Sequence, residues 1–589
     1  MELITMETRL WSRVGSLNHV ETVLYCFFLL SLAAAGAKLQ YSGITPFVAY
    51  LFVILAASTP LLLVTGIIPV RSQMPVVYSL GLAVHWHTTL VTNHLWGWDI
   101  HFVYYIAQQT QSVGSLILET SMSVAGLVVV TWFSAFLSEV LNIQIVTVMK
   151  VVLPMIAAMT PVAIFAVTRR IDSYKAAPPL AAAAFIFFYR YFKVMPNKQA
   201  LGELFIALLL LCFVVPAFTN RRWQATIPVI LAAGLVLAHY ATTLIYLTLI
   251  SGAMLLGIIA RLYYRDSVSV PQVVTATLIP AGVGWTWYYL EAAQGRVLVH
   301  AVAIGFNAVR KIAQLLGIVP SSGSAVANRS GSGYLVRLLG DPLYALLLAL
   351  TAGVLGLAVL GVLSMLYVQV VERREEPELF LKVAVTAIGL MGAGVVLTFG
   401  LGFDRLISIV LVVLAPTLLA GAFAVRQFFQ KSGLGLPRRH VAVSIAVLLG
   451  VWLVVGSGLA WVGTDTVPSY AIGINEEEAD WRTYSDSEVS TVAWAHQYNG
   501  NDNISVFSYS RLNSRDGLLV AELFYRHDVQ TVSPGEDEHK NGCGMFYTSH
   551  RPMRVQNEWV NPEQTEYYRS ALEYDSRYYD SGKGSIYSC

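Results

Sequence analysis

Of 589 residues, 56% are hydrophobic and only 13% are charged, with a mean hydropathy of +0.60. A soluble domain carries about 25% charged residues, so a soluble globular protein is excluded, and repeated apolar runs of about 20 residues imply a multi-pass membrane protein. The net charge of +2, with no sustained basic patch, excludes a nucleic-acid binder.

Met1 to Asn18 is polar and basic, and the apolar run that follows has no small-residue cleavage site, so no cleaved signal peptide is expected. The spacing of apolar runs predicts thirteen spans, at 20–37, 46–66, 76–93, 144–168, 177–193, 201–219, 225–240, 243–260, 269–290, 341–370, 380–402, 405–427 and 440–463. Arg9, Arg13, Arg71, Arg169-Arg170, Arg221-Arg222, Arg261 with Arg265, Arg373-Arg374 and the Arg426 to Arg439 segment then fall on one side, which the positive-inside rule makes the cytoplasm. Ser112 to Asn142 is read as short helices on or dipping into the outer face, because a crossing there would move the later Arg pairs outside. The stretch 225–260 is too long for one crossing and is split at His239 to Thr243, as an outer turn. Gly295 to Leu339 is a long outer loop.

From Asp465 to Cys589 there are 20 acidic and 10 basic residues, against totals of 36 and 38 for the chain. This acidic tail reads as a separate soluble domain. A helix is expected over 487–497, with strands over 503–509, 518–525, 545–547 and 585–587. The predicted architecture is thus a membrane domain over 1–464, whose outer loop 94–142 carries the site, and a small α/β extracytoplasmic domain over 465–589. Asn328 and Asn503 begin glycosylation triplets on the outer side. Cys26 and Cys212 lie in apolar runs and are expected to be packing residues, whereas Cys543 and Cys589 are disulfide candidates if the tail is extracellular.

The chemistry-bearing stretch is Thr92 to Gln111, TNHLWGWDIHFVYYIAQQTQ. Asp99 and His101 sit two residues apart among Trp96, Trp98, Tyr104 and Tyr105, rings that favour the lipid–water boundary. His94, Lys150, Lys193, Lys198, His239, Tyr240, Asp404 and Arg405 are placed at the same outer ends of spans. Snorkelling anchors account for some of these. A carboxylate together with several cations on one face also suits a base beside a phosphate. His85 and His87 are expected to be core histidines bonded to neighbouring helices, or else part of a polar pocket. Glu203 is expected to bond Lys198 or Arg190. No metal-ligand motif appears, so no cofactor is assigned and a divalent metal stays open.

Several short stretches in a fixed order carry a resemblance. They are Tyr78-Ser79-Leu80-Gly81-Leu82, Gly97-Trp98-Asp99-Ile100-His101, Ser121-Met122-Ser123, Lys150-Val151-Val152-Leu153-Pro154, Glu203-Leu204-Phe205, His239-Tyr240-Ala241-Thr242, Leu414-Ala415-Pro416 and Tyr578-Tyr579-Asp580-Ser581-Gly582. In this order they resemble the GT-C superfamily of multi-spanning glycosyltransferases, and more narrowly an uncharacterised archaeal branch of it. The resemblance implies a polyprenyl (dolichyl) phosphate sugar as donor and a glycan or glycoprotein acceptor at the outer face of the cell membrane. It implies Asp99 as base with His101 beside it, and Lys150, Lys198, His239, Tyr240 and Arg405 as the groups that meet the lipid phosphate. The paired-acid form common in that superfamily is absent. The competing classes are a transporter or flippase for a lipid-linked or polar substrate, and a non-enzymatic membrane assembly protein. Buried polar residues speak for the first, and the acidic tail for the second.

Overall fold

The computed structural model describes residues 17–96, 99–115, 127–172, 174–193, 195–215, 226–264, 282–284, 286–287, 310, 342–371, 378–397, 403–431, 436–462 and 490, together with seven strands between 504 and 588. Its first helix, α1 (His19–Tyr41), starts on a reciprocal cap. Asn18 accepts from the Glu21 N–H at 2.9 Å and Glu21 accepts from the Asn18 N–H at 2.7 Å. Losing such a cap costs about 1 kcal/mol. After α2 (Phe47–Thr65), Gly66 ends the helix in the left-handed region at φ 84°, where a side chain would be strained. The chain continues through α3 (Gln73–Leu90), α4 (Asp99–Val113), α5 (Val128–Leu141) and α6 (Ile145–Ile171), the last containing a π turn at Val148–Val152. Next come α7 (Ala177–Ile186), α8 (Tyr189–Lys193), α9 (Lys198–Val214), α10 (Thr226–Ala238) and α11 (Tyr240–Tyr264). The bundle is completed by α12 (Pro342–Val371), α13 (Glu378–Leu397), α14 (Phe403–Leu414), α15 (Leu418–Lys431) and α16 (Arg438–Gly456).

Among the described residues, seven helices are long and apolar enough to cross a bilayer, rather than thirteen. The expected span 177–193 breaks at Phe187-Phe188 into α7 and α8. The ten residues of α7 reach about 15 Å, half the apolar thickness of a bilayer, and all of them are buried. In α3 the polar residues His85, His87, Thr88 and Thr89 are buried by neighbouring helices, so its hydropathy is set by the bundle interior and not by lipid. The π turn and α6 form a single crossing. The segment 128–141 is a 14-residue helix, in line with the short helices expected there. Of the expected span 269–290 only 282–284 and 286–287 are described, and of the loop 295–339 only Arg310; Asn328, Asn503, Cys543 and Cys589 lie outside the described residues.

The split expected near His239 is present. Thr243 Oγ1 donates to the Leu235 carbonyl at 3.1 Å and to the His239 carbonyl at 2.9 Å. Residues eight apart in a straight helix are separated by about 12 Å along the axis, so the chain bends sharply at His239.

The main core runs through Leu80, Phe185, Leu209, Val413 and Trp452, all buried. Cys26 packs against it and Cys212 is buried, both as free thiols. Two helices of this core touch backbone to backbone. A β-carbon on Gly361 of α12 would run into the Thr417 carbonyl, and one on Gly421 of α15 into the Leu357 carbonyl. Small residues permit this approach between membrane helices. Gly421→Val is therefore expected to force the two helices apart and destabilise the bundle by about 3 kcal/mol, read as a lower unfolding temperature in detergent.

At one end of the bundle stand Arg71, Arg169, Arg170, Lys175, Arg426, Arg438 and Arg439. Arg439 reaches the Thr65 carbonyl at 3.4 Å and Arg438 lies 5.6 Å over the Phe423 ring. Asp172, just past α6, accepts from the Tyr174 N–H at 2.8 Å. Burial raises its pKa, and the Tyr174 bond and Arg438 offset this only in part. A carboxyl whose pKa is raised on folding favours the fold at low pH and costs stability as pH rises through that value. Asp172→Asn keeps the acceptor, so it is expected to raise the unfolding temperature at neutral pH, with the gain vanishing in acid.

In the tail, the strands are β1 (Ile504–Phe507), β2 (Thr531–Val532), β3 (Met545–Ser549), β4 (Met553–Val555), β5 (Glu558–Val560), β6 (Arg577–Asp580) and β7 (Gly584–Ser588). They pair in the order β2-β1-β3-β7-β6, with β4-β5 a separate antiparallel pair. β1 runs parallel to β2 and β3, whereas β7 runs antiparallel to β3 and β6. Of the expected helix over 487–497 only Ser490 is described, and the expected strand over 518–525 lies outside the described residues.

Candidate functional site

The end of the bundle opposite the arginines is organised by the loop between α3 and α4. Lys150 holds this loop: its ammonium donates to the carbonyls of Thr92 and His94, the latter at 3.2 Å. Lys38 donates to Asn93 Oδ1 at 2.8 Å. Trp96 fastens the other side, its N–H pointing to Met195 Sδ at 2.9 Å and its indole donating to the Lys193 carbonyl at 3.3 Å. Trp96 is 1% exposed and Tyr105 4%, so these two rings are core anchors and not the interfacial belt expected from sequence.

Lys150 owes its position to Pro154. Proline has no N–H for the carbonyl four residues back, which is that of Lys150. Thr89 Oγ1 donates to this carbonyl at 2.9 Å, and the helix there widens into the π turn. Such turns are rare and cluster at functional sites.

Asp99 is the first residue of α4, where the helix dipole favours a carboxylate. Ile100, Val103 and Ala107 of this helix share a second core with Trp96, Met195, Leu201 and Ala238, and Tyr240 packs against it. His101 is buried. This second core places the start of α4 beside the starts of α9 and α11.

A cluster of cations surrounds that junction. Asp404, at the start of α14, lies 3.2 Å from Arg190 and 3.9 Å from Lys193, and also accepts from the Arg405 N–H at 3.0 Å. Arg190 reaches Gln199 at 3.3 Å, Gln199 donates to Glu203 at 2.8 Å, and Ser408 donates to the same Glu203 oxygen at 2.7 Å. Glu203 is therefore bonded by Gln199 and Ser408, and the expected direct bond to Lys198 or Arg190 is replaced by an indirect link through Gln199. His239 is buried, with Nδ1 2.6 Å from Thr242 Oγ1, and the positive fields of Lys198, Arg405 and Arg190 reach its ring. The Tyr240 ring lies 5.3 Å from it, centre to centre.

The structure thus gathers Lys198, His239, Tyr240 and Arg405 and sets Asp99, His101 and Lys150 at the same end. The sequence offered Arg190 only as a partner for Glu203. Its role beside Asp404, 214 residues away, has no local sequence signal. His85 and His87 are core histidines, as expected, and are 2% exposed. His85 stacks on Tyr191 at 3.9 Å and lines a small polar cavity in place of the expected bond, since neither of its ring nitrogens has a hydrogen-bond partner among the described residues, while His87 stacks on Phe52 at 5.1 Å with its Nε2 unbonded among them. Among the described residues no group of three His, Cys, Asp or Glu side chains is placed to hold a metal.

Residues 224–515, just under half of the chain, match a family described as "Predicted membrane protein (DUF2206)". With the seven apolar helices, this decides the class. The chain is a multi-pass helical membrane protein. The matched region contains His239, Tyr240, Asp404 and Arg405 and begins after Asp99, His101, Lys150 and Lys198. No curated protein matches the chain.

Proposed function

We propose that this protein is a membrane glycosyltransferase that moves a sugar from a polyprenyl-phosphate donor to a glycan or protein acceptor, with inversion, at the outer face of the cell membrane. The observation that carries the reading is the cation cluster. Arg190, Lys198 and Arg405 lie around His239, and Arg190 and Lys193 meet at Asp404, with Glu203 reached from Arg190 through Gln199. Cations gathered in this way suit a phosphate, which they bind through short charge-assisted bonds. The start of α4, with Asp99, stands beside them. The arginine-rich opposite end then faces the cytoplasm.

In this reaction the Asp99 carboxylate takes the proton of an acceptor hydroxyl. The acceptor oxygen bonds to the anomeric carbon from the face opposite the phosphate. The bond from that carbon to the phosphate oxygen breaks, and its electron pair leaves with the phosphate. Lys198, Arg405 and Arg190 stabilise the charge that develops there. His101 follows the base by two residues on the same helix, and Lys150 fixes the loop that presents it. A transporter or flippase would need a polar route across the bundle; among the described residues the Arg190–Gln199–Glu203 chain passes to Ser408 and the cavity beside His85 and Tyr191, where Gly81, Pro161 and Ile186 follow.

The test is mass spectrometry of surface glycans and of the lipid-phosphate sugar pool in cells lacking this protein. The expected result is the loss of one sugar from the glycans with accumulation of the charged lipid. Unchanged glycans and lipids would sink the reading.

A further inference from the structure

Between α3, α8, α9 and α14 lies a cavity of about 30 Å³, lined by His85, Arg190, Tyr191, Glu203, Ser408 and the loop Met195–Asn197. His85 is 2% exposed, yet neither of its ring nitrogens is hydrogen-bonded among the described residues. The hydroxyl of Tyr191, whose ring stacks on His85, is likewise without a partner among them. Both bonds that Glu203 accepts, from Gln199 and Ser408, end on one oxygen, Oε1. A neutral imidazole offers one donor and one acceptor, and a phenol offers both. Buried polar atoms of this kind almost always find a partner in protein or ordered water. A water needs about 10–15 Å³ of such space and two to four polar neighbours, and this cavity supplies both.

We propose that the cavity is a hydrated proton-sharing site in which water joins His85 and Tyr191 to Glu203. The water donates to the acceptor nitrogen of the His85 ring and to Glu203 and accepts from the Tyr191 hydroxyl, so protons are shared along hydrogen bonds while each group keeps its own and no charge is created. The charged and titratable groups around the site are Arg190 and Tyr191 on α8, Glu203 and Lys198 on α9, Asp404 on α14 and Tyr78 on α3. The loop Met195–Asn197 lines the cavity, and Met195 also meets the Trp96 N–H, which joins the site to the Asp99 loop. The Tyr191 hydroxyl lies against Gly81, where a β-carbon would meet it at 2.9 Å, with Pro161 and Ile186 alongside. The site stands independently of the sugar transfer proposed above.

Cryo-electron microscopy of the full chain in lipid nanodiscs, at a resolution that shows water, is expected to reveal an ordered water. It should lie within hydrogen-bond distance of the His85 ring and of Glu203 or Tyr191. An empty cavity would overturn the proposal. In infrared difference spectra of the same preparation, the Glu203 stretching band is assigned by its loss in Glu203→Gln. It is expected to shift on transfer to D2O and again in His85→Phe, which preserves a ring against Tyr191. If the phenylalanine variant does not fold, His85→Gln replaces it, with a smaller shift expected. A band that moves neither in D2O nor in the histidine variant would overturn the proposal.

Discussion

Asp99→Asn is expected to reduce sugar transfer by about a hundred- to ten-thousand-fold, the usual worth of a positioned general base, while the protein stays inserted and folded. The amide matches the carboxylate in shape and keeps a polar group at the first residue of α4, so helix and loop are preserved. What is lost is the basic, negatively charged carboxylate that receives the acceptor proton. Transfer measured in membranes with a charged lipid donor, against unfolding temperature in detergent, separates the two effects. Activity within a few-fold of wild type would remove Asp99 from the base role. A matching fall in unfolding temperature would make its role structural.

Trp96→Ala is expected to cost about 3–5 kcal/mol, the range for emptying the space of a fully buried aromatic side chain. It also removes the indole bond to the Lys193 carbonyl. Because that bond ties the Asp99 loop to the segment between α8 and α9, transfer should fall by more than the folded fraction does. Trp96→Phe keeps much of the apolar volume and loses only the donor, so it is expected to retain most of the stability and to show the loss of positioning by itself. Thermal unfolding together with transfer measured per folded molecule checks both. An alanine variant as stable as wild type would show that Trp96 does not anchor the loop.

Much of the bundle was legible because lipid and packed helices both demand apolar residues. The same fact hid the difference between them. The alanine-rich segment of α7 reads as a span, yet it is ten residues long and wholly interior. The sharp bend at His239 was readable because a run of 36 residues is too long for one crossing. The outer polar residues were readable as a set, since charge is rare in such a chain. Their division of labour was not. Lys150 resembles a free phosphate-binding cation in the sequence. Only the fold shows that Pro154 shapes its turn and that its ammonium holds the carbonyls of Thr92 and His94. Arg190 was overlooked as a site residue because its partner Asp404 follows 214 residues later. His85 was expected to find a neighbour because buried imidazoles usually do, and what meets it is a ring face and a cavity.

The crossing of Gly361 and Gly421 has a mechanical consequence. Where two helices meet through interlocking side chains, those chains can change rotamer and let one helix slide past the other. At a crossing where main chain meets main chain there is nothing to rearrange, so α12 and α15 form a fixed strut. The helices α4 and α5 belong to a separate cluster of contacts. Under the proposed function, any opening that admits a long lipid must leave this strut still.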